Sequence, residues 1–169
     1  MRPRMRERYC LFVFEGRAMA TEPLPIYMWS LLAFAGWTLL VLIGAVGVYR
    51  WHRILTGQQA IRTFRSDKIE GADWYRRAMN AHRNCVENIA LYAPLVFLAW
   101  AAGIRQGLIN TLAIVVIGAR VAQSITHIGF VETNVTTALR FALFLVQVLC
   151  FIVIGWIVVN STPVRVLNV

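Results

Sequence analysis

Residues 26–48 read IYMWSLLAFAGWTLLVLIGAVGV, and none of these 23 positions carries a charge. A hydrocarbon core of about 30 Å needs roughly 20 helical residues, so the run is long enough to cross a bilayer. Tyr27 and Trp29 at one end, and Tyr49 and Trp51 at the other, bring the amphipathic rings that settle at headgroup level. Three more apolar stretches follow, and we expect further spans at about 80–103, 108–130 and 135–159. The second is purely apolar only over Ile89–Ile104. It therefore spans only if the polar turn Asn84–Asn88 already lies in the bilayer or its interface. Tight links at Gly103–Gly107 and Glu132–Thr136 join the last three, and Pro163 ends the fourth. The prediction is an all-α integral membrane protein, a four-helix bundle over 26–160, with a leader at 1–25 and a tail at 161–169.

Composition agrees. The 169 residues are 59% apolar and only 15% charged, where soluble domains have roughly 45–50% and about 25%. That excess excludes a disordered chain, which lacks the hydrophobicity to collapse. The 17 basic residues outnumber 8 acidic ones and give a net charge of +9. They are segregated between apolar blocks, and no basic patch is interleaved with a nucleic-acid motif, so we expect no nucleic-acid partner. Cys10, Cys85 and Cys150 have no metal-ligand spacing, and neither do His52, His82 and His127. No metal is expected.

The connection 50–83 carries eight basic residues, which places it on the cytoplasmic side. Four spans then put both termini on the opposite face. The leader, with Arg2, Arg4, Arg6, Arg8 and Arg17, conflicts with that orientation, and a translation start at Met19 or Met28 would remove the conflict. With no targeting segment apparent, the expected location is a bacterial inner membrane.

Glu87, Arg120, His127 and Arg140 interrupt otherwise apolar spans. An ionisable group at the centre of a membrane helix costs about 2.5–3.5 kcal/mol, so such groups usually face a bundle interior or a cavity. Asn80, Asn84 and Glu87 stand at i, i+4 and i+7, on one helical face. Arg120, Gln123, Ser124 and His127 share a face of the third span, and Arg140 and Gln147 a face of the fourth. Antiparallel topology brings these three faces to one depth. A pocket built from them suits a small zwitterionic or anionic ligand, since Arg clamps carboxylates with paired hydrogen bonds. The same residues could instead pair only with one another. A Glu87–Arg120 or Glu87–Arg140 bridge would satisfy both partners and simply tie helices together.

The run DWYRRAMNAHRNCVEN at 73–88 resembles the signature at the start of the second helix of the MAPEG family, the membrane-associated proteins of eicosanoid and glutathione metabolism. Arg120-Val-Ala-Gln123-Ser-Ile-Thr-His127, followed by Arg140-Phe-Ala-Leu-Phe, is similar to the third and fourth helices of bacterial members. The resemblance covers about 26–160, and its specific part is Ala-His-Arg-Asn-x-x-Glu. It implies a homotrimer that binds glutathione, as co-substrate, between subunits near the cytoplasmic side. In the prostaglandin E synthase branch the residues matching His82, Arg83, Asn84 and Glu87 lie at or near glutathione. Arg120, Gln123 and His127 fall at site-lining positions of the third helix, and Arg140 is the basic residue of the fourth. Two departures stand out. Asn80 occupies a position where the family usually has Arg, and His127 one where eukaryotic enzymes have Tyr. Arg76, Arg77 or Arg83, each within a turn of Asn80, could supply the missing charge.

The resemblance implies a membrane-bound glutathione transferase, with peroxidase activity as a variant, acting on lipophilic electrophiles that enter from the lipid. Arg140 or Arg120 would be the catalytic cation, because a thiolate forms more readily beside Arg. A non-catalytic lipid- or ligand-binding protein of the same fold is the alternative. A small four-helix exporter has the same span count, but such exporters depend on a Glu in the first helix, and 26–48 contains no acid.

Overall fold

The computed structural model describes residues 23–64, 69 and 71–161. The leader arginines, Met19, Cys10, Arg65, Lys68 and Pro163 lie outside the described residues. Four helices are long and apolar enough to span a membrane: α1 Ile26–Leu55, α2 Asp73–Ala101, α3 Gly107–Gly129 and α4 Asn134–Ser161. No strand occurs among the described residues. The chain is an all-helical, multi-pass integral membrane protein.

Two helices are longer than an apolar scan suggests. α1 runs seven residues past Val48 to Leu55, and α2 begins at Asp73, seven before Asn80. The connection is therefore shorter than 50–83. Charged residues such as Arg50, Arg53, Arg76 and Arg77 are compatible with helix once the chain has left the hydrocarbon, and hydropathy alone cannot see them. α1 passes through a π-helical turn at Leu42–Gly47 before returning to α-helix. α2 carries Pro94 without ending. In a bundle, neighbouring groups re-satisfy the backbone that a membrane-helix proline frees.

Small residues let the helices approach. α2 buries Ala78, Ala81, Cys85 and Ala99, and α3 buries Ala113, Ala119 and Ser124. Lipid tails are as apolar as leucine, so close packing and interhelical hydrogen bonds must hold such a bundle. Phe34 of α1, Tyr92 of α2 and Phe151 of α4 form a ring stack through the centre, with centroids 5.9 and 5.5 Å apart. Outside, Ile43, Leu91, Phe141, Ile152 and Trp156 are among many large apolar residues left exposed, a surface that water would not tolerate.

The α2–α3 turn is closed by Gly103, whose φ of 67° lies in the left-handed region. The Gly103 and Ile104 amides cap the Trp100 and Ala99 carbonyls, a C-terminal motif that favours glycine. At the other end, α4 starts on a reciprocal cap. The Thr136 amide donates to Thr133 Oγ1, and the Thr133 amide to Thr136 Oγ1. That cap fixes the short Val131–Glu132 link beneath the end of α3.

Candidate functional site

Three helices converge at the end where α2 and α4 begin and α3 finishes. Arg140 of α4 donates from Nη1 to His127 Nδ1 of α3 at 3.1 Å. On the far side of the ring, the Asn84 amide of α2 lies 3.1 Å from Nε2. A guanidinium has donors and no acceptor, so His127 must offer a lone pair at Nδ1 and carry its proton on Nε2. The Asn84 group that faces Nε2 is its amide nitrogen Nδ2, and a proton on Nε2 favours the amide turned over so that its oxygen accepts, since the two ends of an amide are assigned from the hydrogen-bond network. One imidazole thus locks three spans together in a single tautomer.

Arg140 is held from several directions. Its Nη1 also reaches Glu132 Oε1 at 3.3 Å, and Nη2 reaches Thr137 Oγ1 at 3.4 Å. Gln123 Nε2 donates to the Arg140 carbonyl at 3.0 Å, while Gln147 Nε2 donates to Gln123 Oε1 at 3.1 Å. The Arg140 side chain remains 13% exposed, in contact with the outside through Glu132, which is 60% exposed.

Glu132 is also part of a neighbouring pocket of about 420 Å³, together with Asp73, Arg76, Arg77, Asn80 and Val131. That volume falls within the range of small-molecule sites, roughly 300–1,000 Å³. Its wall alternates two carboxylates with two guanidiniums. Arg76 pairs with Asp73, and Arg77 Nε donates to the Ile128 carbonyl at 3.4 Å. Of the three arginines near Asn80, Arg76 and Arg77 line this pocket, whereas Arg83 does not.

Arg120 is separated from the cluster. It is 1% exposed and lies inside the protomer, 5.5 Å from the Phe34 ring centroid. Its Nε and Nη2 have no hydrogen-bond partner among the described residues. Ser124, one turn on, faces Cys85 at 3.5 Å. The reason is angular. At 100° per residue, Arg120, Gln123, Ser124 and His127 spread over about 100° of arc. That is enough to serve α1 and α2 with one edge and α4 with the other.

α2 divides in the same way. Ala81, Cys85 and Asn88 are buried, Asn84 sits at the border, and Asn80, Arg83 and Glu87 point outward from the protomer. No ion pair links Glu87 to Arg120 or to Arg140 among the described residues. His82 turns toward α1 near the Thr38 backbone, and its Nδ1 is buried without a hydrogen-bond partner among the described residues. The structure thus brings Asn84, Gln123, His127 and Arg140 together. It leaves Arg83 and Glu87 on the outer surface, and His82 and Arg120 inside.

Glu132 is the residue that sequence reasoning passed over. It lies in a link, outside any helical face, and only its place just before the Thr133 cap marks it.

A family model described as the MAPEG family matches residues 27–160. No curated protein matches the chain, and no solved structure does.

Proposed function

The chain belongs to the MAPEG family, and on that footing we propose that it is a glutathione-dependent membrane transferase acting on lipophilic electrophiles. The observation that carries the reading is the Asn84–His127–Arg140 chain of contacts across three helices, set beside a pocket of mixed charge. Glutathione has two carboxylates, one ammonium and one thiol. Arg76 and Arg77 are suited to its carboxylates and Asp73 to its ammonium. Two arginines at this wall also offset the charge that Asn80 does not provide.

Arg140 is the catalytic cation in this proposal and Arg120 is not. Arg140 retains exposure, whereas Arg120 is enclosed in the protomer core. The thiol proton passes to solvent, and the thiolate rests against the Arg140 guanidinium, where it is stabilised. The sulfur then forms a bond to the electrophilic carbon, and the leaving group departs with its electron pair. In the peroxidase variant the same thiolate attacks a hydroperoxide oxygen, the O–O bond breaks and the alkoxide leaves as the alcohol, and the sulfenic acid formed condenses with a second glutathione to give the disulfide and water. His127 serves by fixing the guanidinium, and Asn84 and Gln123 fix His127 and the Arg140 backbone.

The outward stripe of Asn80, Arg83 and Glu87 supports a homotrimer. Charged side chains facing lipid at membrane depth cost several kcal/mol. A neighbouring subunit packed on α2 removes that cost and places Arg83 and Glu87 at an inter-subunit site with glutathione. The basic residues of 50–83, on the connection and the helix ends that flank it, then lie on the cytoplasmic face by the charge bias, and a bacterial inner membrane is the setting that we propose.

A second reading keeps the fold without the chemistry. His127, in a position where a hydroxyl would reach ligand in eukaryotic relatives, is wholly engaged in binding Arg140 and Asn84. A lipid- or ligand-binding protein is consistent with that. Calorimetric titration with glutathione, followed by a conjugation assay on an aryl halide in proteoliposomes, separates the two. The transferase reading expects millimolar or tighter binding and glutathione-dependent turnover. Absence of binding at millimolar glutathione favours the second reading.

A further inference from the structure

Arg140 is a largely covered cation at the rim of the site, and it already holds a carboxylate. Its Nη1 meets Glu132 Oε1 at 3.3 Å, and the two side chains differ widely in exposure, 13% for Arg140 and 60% for Glu132. Glu132 is carried on a three-residue link between Gly129 and the Thr133 cap. The cap is built from the threonine backbone and hydroxyls alone, so the Glu132 side chain can swing away without loosening α4. The same side chain lines the pocket of about 420 Å³. The remaining contacts of Arg140, to His127 Nδ1 and Thr137 Oγ1, are to neutral groups. Glu132 is therefore the one anion on Arg140 among the described residues, and it stands between that guanidinium and the pocket.

We propose that Glu132 is an internal stand-in for the anionic ligand: it occupies Arg140 in the free protein and is displaced when a ligand carboxylate or thiolate arrives. This rests on the reading of Arg140 as the cation that receives glutathione. Glu132 is a specificity-determining residue in this account and touches no reacting atom. It keeps a desolvated guanidinium neutralised between turnovers, since leaving such a charge unpaired is costly. It also sets a threshold, because any ligand must outbid a carboxylate that is already in place. Neutral or cationic molecules cannot, so the device selects anions. The competition is modest, because a partly exposed ion pair contributes about 0.2–1 kcal/mol.

The test is glutathione titration and steady-state conjugation with Glu132→Gln and Glu132→Ala beside the unaltered protein. Both variants should bind glutathione about two- to fivefold more tightly, the ratio that 0.2–1 kcal/mol of lost competition allows at its upper end. KM for glutathione should fall by the same ratio. Raising the salt concentration should narrow the difference, because it screens the Glu132–Arg140 pair. If the unaltered protein binds glutathione and both variants bind it equally or more weakly, Glu132 positions Arg140 or does nothing, and the stand-in role is overturned while the transferase reading survives. If no form binds, both fall. If only the variants bind at accessible concentrations, the stand-in role is upheld in its strongest form.

Discussion

The two ends of the bundle use polar side chains in opposite ways. At the α2–α3 turn, polar groups close backbone gaps. Tyr27 Oη donates to the Ile104 carbonyl at 3.0 Å, Asn110 Oδ1 accepts from the Tyr27 amide at 3.2 Å, and Ser30 and Tyr92 share a buried hydroxyl pair. Each of these bonds is made within one protomer, and the turn needs nothing further. At the opposite end, polar groups exceed what the protomer requires. Asp73, Arg76, Asn80, Arg83, Glu87 and Glu132 are all exposed, and the Arg140 guanidinium serves three acceptors at once. The first end is a closure, and the second is the surface to which we assign ligand and partner. Among the described residues the exposed charges gather mainly at the second end, and that is where we place the chemistry.

The sharpest way to break that contrast is to remove its central cation. Arg140→Leu should lower glutathione conjugation by about a hundredfold or more, the scale seen when a preorganised electrostatic donor is lost. The thermal midpoint in detergent should hold, since Arg140 is at the rim and its loss leaves the central ring stack untouched. Turnover equal to that of the unaltered protein would remove Arg140 from the mechanism. A smaller effect should follow at its support. Asn84→Ala frees one side of the His127 ring, so the imidazole can rotate and release Arg140. About a tenfold loss in kcat/KM is expected, close to the 1.4 kcal/mol that a single well-made positioning contact supplies. Arg140→Leu combined with Asn84→Ala should be no worse than Arg140→Leu alone, because both act through one group. An additive double variant would show that Asn84 contacts ligand by itself.

Much of the architecture could be read from the chain before any coordinates. The uncharged run 26–48 and its three successors required four spanning helices, because a bilayer leaves the backbone few other options. The family resemblance rested on the short run Ala81-His82-Arg83-Asn84-x-x-Glu87, which carries its own spacing. The site was legible only in part. Periodicity identified the polar residues of α3 but not the two neighbours that divide them. Four residues on about 100° of arc look like one face on a helical wheel, yet Arg120 turns to Phe34 while Gln123 turns to Gln147. Glu87 had been a candidate partner for Arg140, and Glu132 takes that place instead. A residue in a link has no period, and the distance from Glu132 to Arg140 is set by the Thr133 cap and the first two turns of α4, which only the fold reveals. The return to helix near Asp73 was legible from the breaks at Gly57 and Gly71, whereas the extension of α1 to Leu55 escaped hydropathy for a related reason: helix and hydrocarbon do not end at the same residue.

The smallest expected effect concerns the closed end, and it asks whether the two ends are independent. Tyr27 is 1% exposed, and its hydroxyl is the donor to the Ile104 carbonyl just after the α2–α3 turn. Tyr27→Phe keeps the ring and removes that donor. In water, a buried carbonyl deprived of its donor would cost about 1–3 kcal/mol. Within a membrane the unfolded chain also finds partners, and measured interhelical bonds average about 0.6 kcal/mol with a maximum near 1.7. The membrane figure applies here, so the thermal midpoint in detergent should fall by only a few degrees. Conjugation at a temperature below that midpoint should not change, because Arg140, His127 and Asn84 are on the far side of the Phe34–Tyr92–Phe151 stack. A fall in kcat/KM comparable to that of Asn84→Ala would mean that the helices shift as rigid rods from one end to the other. The closed turn would then be part of the site's geometry, and the division between a sealing end and a working end would be lost.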